Sequence, residues 1–150
     1  MGPTTQNAAP MEPGSEDASE LRARALRVGT DLVQISRIAE SIEQFGDKFI
    51  RRLFTDDEIA YASSSTPLQA ERFAARFAAK EATIKALSLS DVGLDWKMIE
   101  VRRAANGACT LRLHGAAHAA ATEAGIREMS VSLSHDGDYA TAVVVCLAMP

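Results

Sequence analysis

Arg76-Phe77-Ala78-Ala79-Lys80-Glu81-Ala82-Thr83-Ile84-Lys85-Ala86 is the stretch around which the rest of the chain orders itself. Its Ala, Phe and Ile content reads as the middle of a helix, yet it carries three cations and one carboxylate. Positions four apart stack on one helix face. Arg72, Arg76 and Lys80 therefore form one basic row, and Phe77, Glu81 and Lys85 form the row beside it. A carboxylate between lysines on an apolar rod suits the holding of a metal ion and a polyphosphate. A solvated face with an i,i+4 Glu–Lys pair is the plainer reading of this helix taken alone. Two other stretches favour the first reading: Gly29-Thr30-Asp31 near the start and Ser132-Leu133-Ser134-His135-Asp136 near the end.

Working outward, Leu26 to Val33 reads as a strand in which Gly29 permits close backbone approach. From Ser36 the apolar spacing becomes helical through Ile38, Ile42 and Phe45, and Gly46 ends it. A loop then carries Lys48, Arg51 and Arg52 among Phe49, Leu53 and Phe54. Thr55-Asp56-Asp57-Glu58 is a capping box that starts a short helix. Pro67 suits the first turn of the next helix, which runs to about Leu87 and buries Phe73, Phe77, Ile84 and Leu87.

After a loop over 88–95, Met98 to Arg103 and Thr110 to Leu113 flank an Asn106-Gly107 hairpin turn. Ala116 to Glu123 is an Ala-rich helix closed by Gly125. Met129 to Ser134 and Tyr139 to Leu147 form a second hairpin about Asp136-Gly137. This order predicts an α+β domain over 23–150 with a largely antiparallel sheet and a long central helix.

The chain has 150 residues, a length that suits one domain. Residues 1–22 are read as a disordered acidic tail: Glu12, Glu16, Asp17 and Glu20 stand there without Lys or Arg through residue 20. Those four charges equal the formal net charge of −4, so the remainder is near neutral. That balance argues against a nucleic-acid binder. No apolar run approaches the ~20 residues of a membrane span, and no secretory leader is evident, so a cytoplasmic location is expected. Cys109 and Cys146 match no metal spacing and read as free thiols.

Asp31 alone is a strand-end aspartate. Together with Glu81 it is sufficient as a hard oxygen pair for Mg²⁺, which takes one or two protein carboxylates. His135 reads as a turn residue or as a donor to a phosphate, with Ser132 and Ser134 on one strand face as further donors. His114 and His118 are four apart, but Gly115 intervenes and the pair reads as structural. Arg37, Lys48, Arg51 and Arg52 form a basic cluster, either plain surface or a docking face for an acidic protein. Neither a Walker loop nor a dinucleotide fingerprint is present.

Three blocks together resemble the holo-acyl-carrier-protein synthase type of 4′-phosphopantetheinyl transferase. They are Val28-Gly29-Thr30-Asp31-Leu32-Val33 with Ile35 and Arg37; Arg76 to Ala82 with Lys85 and Ala86; and Ser132 to Asp136 with Tyr139 and Ala140. The resemblance covers about residues 26–148. It implies transfer of the phosphopantetheine arm of coenzyme A to a serine of an apo acyl carrier protein, releasing adenosine 3′,5′-bisphosphate. It also implies Asp31 and Glu81 as Mg²⁺ ligands and Glu81 and Lys85 as catalytic groups. Arg76, Lys80, Lys85, Ser134 and His135 would bind coenzyme A, and Arg37, Arg51 and Arg52 would dock the carrier. A homotrimer with sites between subunits is implied as well. After Asn106-Gly107 the chain has Ala108 and Cys109 where the family has a basic residue and Pro. That hairpin is expected to lie remote from the chemistry. The rival readings are a silent carrier-binding subunit and a coenzyme A-binding module without turnover.

Overall fold

A computed structural model describes residues 26–90 and 93–149, so the tail assigned to 1–22 lies outside the described residues. The elements are β1 (Leu26–Gln34), α1 (Ile35–Phe45), α2 (Asp47–Leu53), α3 (Asp56–Ser63) and α4 (Gln69–Leu87). After a single 3₁₀ turn (Trp96–Met98) follow β2 (Ile99–Arg103), β3 (Cys109–Leu113), α5 (Gly115–Glu123), β4 (Ile126–Asp136) and β5 (Tyr139–Ala148). The fold is α+β and every strand pairing is antiparallel. The strands divide into two sheets: three strands in the order β1-β5-β4, and the separate β2-β3 hairpin.

The main sheet lays one face against α4. Ala140, Ala142, Val144 and Cys146 on β5 and Ala78, Ala79, Ala82 and Ala86 on α4 are buried there. Such small side chains let the helix approach the strands closely. Closest of all is Gly29, where an added Cβ would stand 1.8 Å from the Ala82 carbonyl oxygen. Phe73 and Leu87 are buried as expected, whereas Phe77 and Ile84 are only partly covered. The alanines hold the tightest contact because nothing larger fits between helix and sheet.

Two local readings are corrected. The basic segment after Gly46 is the helix α2 and not a loop; Ile50 and Leu53 anchor it in the core. Gly46, at φ 58°, separates it from α1. The long helix starts at Gln69, so Pro67 stands in the turn before it and not in its first turn.

The opposite face of the main sheet is open, largely apolar along β1 and β5 and lined by Ser130, Ser132 and Ser134 on β4. Leu26 is 71% exposed, Val28 66% and Leu32 64%, with Val143 and Val145 beside them. Among the described residues no helix is long and apolar enough to cross a membrane.

Candidate active site

The close crossing of α4 over β1 at Gly29 brings Glu81 and Lys85 to Asp31. Asp31 and Glu81 line one cavity of about 640 Å³ together with Arg37, Ser41, Phe77 and Tyr139. Burial, and then the Asp31 carboxylate, hold the Glu81 carboxyl above its ordinary value, while Lys85 pulls it down. Lys85 Nζ lies 3.2 Å from Asp31 Oδ1 and 3.1 Å from the Thr30 carbonyl oxygen. It is a half-exposed cation beside the cleft.

Among the described residues no group of three or more His, Cys, Asp and Glu is placed to share a metal ion. Two carboxylates crowded into one cleft, one of them resisting its charge, nonetheless fit Mg²⁺, which fills most of its shell with water and substrate oxygens.

A second cleft of about 540 Å³ holds Arg72, Arg76, Arg103, Glu71, Tyr61 and His135. Three guanidiniums converge on the Tyr61 ring, at 4.4 Å for Arg72, 4.3 Å for Arg76 and 5.2 Å for Arg103. The ring's negative face makes this gathering of like charges tolerable. Arg76 is only 3% exposed, and its buried Nε has no hydrogen-bond partner. His135 Nε2 stands 3.1 Å from Glu71 Oε1, tying β4 to α4. The cleft is thus walled by three guanidinium groups and one carboxylate.

Three expectations change here. Lys80 does not face a ligand. It is fully buried, 2.8 Å from Glu58 Oε1, and also donates to the carbonyls of Trp96 and Ile99. Three partners exhaust the three donors of an ammonium group. Ser134 lies outside the second cleft; Ser132 borders it instead. The Asn106-Gly107 hairpin is not remote, because Gly107, Ala108 and Cys109 line the same cleft as Arg76 and His135. The departure from the family pattern therefore falls on the wall of the candidate site.

The basic cluster is split. Arg37 lies in the first turn of α1 at the cleft of Asp31 and Glu81. Arg51 and Arg52 are exposed in the last turn of α2, where Arg52 borders a different hollow with Trp96 and Lys97. His114 occupies the N-cap position of α5 without a side-chain cap bond and lies 3.1 Å from Glu100 Oε1, while His118 is exposed.

Sequence reasoning missed Tyr61, Arg103, Asp138 and the buried role of Glu58. The capping box is present: Glu58 Oε1 accepts from Thr55 N at 2.9 Å, and Thr55 Oγ1 accepts from Glu58 N. The same carboxylate also accepts from Lys80 and, through Oε2, from Val101 N at 3.0 Å. The box was legible as a local motif; its partners lie 22 and 43 residues away.

The family model for the 4′-phosphopantetheinyl transferase superfamily matches residues 27–144, which include both clefts. The chain belongs to that superfamily. It is 44% identical over 121 residues to the holo-[acyl-carrier-protein] synthase of Koribacter versatilis, covering 80% of this chain and 96% of that protein. The synthase of Herpetosiphon aurantiacus is also 44% identical, over 127 residues, covering 80% of this chain and 97% of its own. Among solved structures, an ACPS–CoA complex of Chronobacterium ammoniagenes superposes with a TM-score of 0.74 at 34% identity. It covers 84% of this chain and 99% of that one. A Helicobacter pylori synthase in complex with coenzyme A gives 0.70 at 30% identity, covering 79% and 98%. The chain is thus of the holo-[acyl-carrier-protein] synthase type.

Proposed function

We propose that this enzyme moves the 4′-phosphopantetheine group from coenzyme A to a serine hydroxyl of an apo acyl carrier protein. The reaction is Mg²⁺-dependent and releases adenosine 3′,5′-bisphosphate. The observation that carries this reading is the convergence of Asp31 and Glu81 in one cleft, with Lys85 beside them and Arg37 at its rim.

Asp31 and Glu81 would hold the ion. Mg²⁺, when bound, supplies neutralisation of the diphosphate and polarisation of the phosphoryl group under attack. Lys85, long and exposed, leaves Asp31 to meet charge developing on the leaving phosphate. Phosphoryl transfer depends chiefly on positioning and charge. Glu81, or a water held in the cleft beside it, would accept the serine proton. Arg76 and its neighbours in the second cleft supply cations for the phosphates of coenzyme A, with His135 at their edge. Arg37, with Arg51 and Arg52, meets an acidic carrier helix.

The two clefts are separate in one chain. The open apolar face of the main sheet supports a homotrimer in which one subunit's carboxylate cleft meets its neighbour's arginine cleft. A cytoplasmic setting belongs to the same reading.

The test is to mix the protein with coenzyme A, Mg²⁺ and an apo carrier, and read the carrier's intact mass. A gain of one phosphopantetheine, abolished by chelation, is the expected result. Coenzyme A binding with no gain on any of several carriers would refute the proposal. Replacement Arg37→Glu is expected to raise the KM for carrier while leaving that for coenzyme A; equal rises would refute the docking assignment.

A further inference from the structure

Helix α1 begins without a cap of its own. Gln34 occupies the N-cap position in extended backbone and makes no side-chain cap bond. The first N–H groups of any helix lack partners within it. Here they find them 102–104 residues away, in the turn between β4 and β5. Ile35 N donates to the Asp138 carbonyl oxygen at 2.8 Å. Ser36 N donates to Asp138 Oδ1 at 3.0 Å, and Ser36 Oγ to Asp138 Oδ2 at 2.6 Å. Gln34 Nε2 donates to the same Oδ2 at 3.1 Å. One residue thus accepts from the first two N–H groups of the helix from another element and also sets a negative charge at the helix N-terminus.

The clamp has a defined place relative to the candidate site. Residue 37 follows the clamped Ser36 directly, and Asp31 precedes the clamped Gln34 by three residues. Gln34, Arg37 and Tyr139, the residue after Asp138, all line the carboxylate cleft. Nothing within α1 replaces the clamp, since its first turn carries no acidic residue. A frayed first turn would release Arg37 while leaving Glu81, on α4, where it is.

We propose that Asp138 is a positioning residue: by capping α1 from the β4–β5 turn it fixes the direction in which Arg37 meets the carrier protein. This rests on the carrier-docking reading of Arg37 above. Asp138 touches no reacting atom. Its effect is expected in recognition of the carrier and not in the chemical step.

The experiment compares wild type, Asp138→Ala, Asp138→Asn, Arg37→Ala and the double variant Asp138→Ala/Arg37→Ala in the carrier-loading assay, on the intact enzyme. Hydrogen exchange is followed at the first-turn amides of α1. Loss of a cap corresponds to roughly a fivefold change in an equilibrium. Asp138→Ala is therefore expected to raise the KM for carrier about fivefold, to leave kcat and the KM for coenzyme A within about twofold, and to speed exchange in that turn. Asn retains the acceptor for Ser36 N, so Asp138→Asn is expected to restore near-normal carrier KM. The double variant is expected to be no worse than Arg37→Ala, because the clamp acts through Arg37. Additive losses in the double variant would overturn the proposal, as would faster exchange with unchanged carrier KM. An Arg37→Ala variant with normal carrier KM would instead sink the docking reading, and a wild type that loads no carrier would sink the function; the exchange data separate these from failure of the clamp.

Discussion

Replacing Gly29 by Ala adds one methyl group at the point where α4 crosses β1. The new Cβ would stand 1.8 Å from the Ala82 carbonyl oxygen and 2.8 Å from the Ala86 nitrogen. Ordinary contact begins near 3.4 Å, so the helix must retreat by about 3.4 − 1.8 = 1.6 Å at that point. The obstructing atoms are backbone, and no side-chain rotation can relieve the clash. Overpacking of this kind costs about 1–3 kcal/mol, with the upper end expected for an immovable neighbour. For a domain of this size ~3 kcal/mol lowers Tm by about 10 °C. The same retreat carries Glu81 and Lys85 away from Asp31. A displacement of about 1 Å between reacting groups costs on the order of a hundredfold in rate. Thermal melting and carrier loading on one preparation read both effects. Gly46→Ala is the control: Gly46 has φ 58° and ψ −138°, a conformation that favours glycine, but nothing lies within 4 Å of its Cβ position, so backbone strain of about 1–3 kcal/mol without a clash is expected and loading is retained. A Gly29→Ala protein melting within about 2 °C of wild type with normal loading would refute the close-crossing argument.

Glu81→Gln is expected to lower turnover by at least ~100-fold while raising Tm slightly. Its folded carboxyl lies above the unfolded value of ~4.3, so the stabilising, protonated form is lost as pH rises through the folded pKa and the ionised group is a burden at neutral pH; a lower Tm would contradict this. Lys80→Met strands the buried Glu58 carboxylate and is expected to cost about 3–5 kcal/mol in urea unfolding, with Lys80→Met/Glu58→Gln recovering much of it; no recovery would show that the pair's geometry, and not its charge, matters. Asp138 is held below the ordinary carboxyl range by its bonds from Ser36 and then Gln34. Its contribution is therefore present above ~pH 4 and lost as pH falls through the folded value, so the Tm difference between wild type and Asp138→Ala should shrink with acid; a constant difference down to pH 3 would disprove it.

The hairpins, the capping box and the C-terminal end of α4 were legible because each depends on neighbours a few residues apart. Asn106-Gly107 marks a turn whatever lies beyond it, and Thr55 finds Glu58 within one helical turn. The helical nature of α2 was not legible. Its two anchors, Ile50 and Leu53, are too few for a clear period, and burial in the core holds it instead. Lys80 shows the same limit at the site. On the helix pattern it continues the basic row of Arg72 and Arg76, and its pairing with Glu58 follows only once α3 and β2 are folded against α4.

The chain's local patterns settled most element types and singled out Asp31, Glu81 and Lys85 as candidates before any fold was known. Which of them meet was decided by one tertiary contact, since only Gly29 beneath Ala82 lets α4 approach β1 closely enough to pair their carboxylates. Tertiary structure also decided which cations remain available. Lys80 spends all its donors inside the core, Arg76 stays beside a cleft with an unpartnered Nε, and the Ala108-Cys109 hairpin lands on that cleft's wall. Periodicity specifies a face of a helix, but what covers that face depends on residues far along the chain, and burial and charge compensation are settled there.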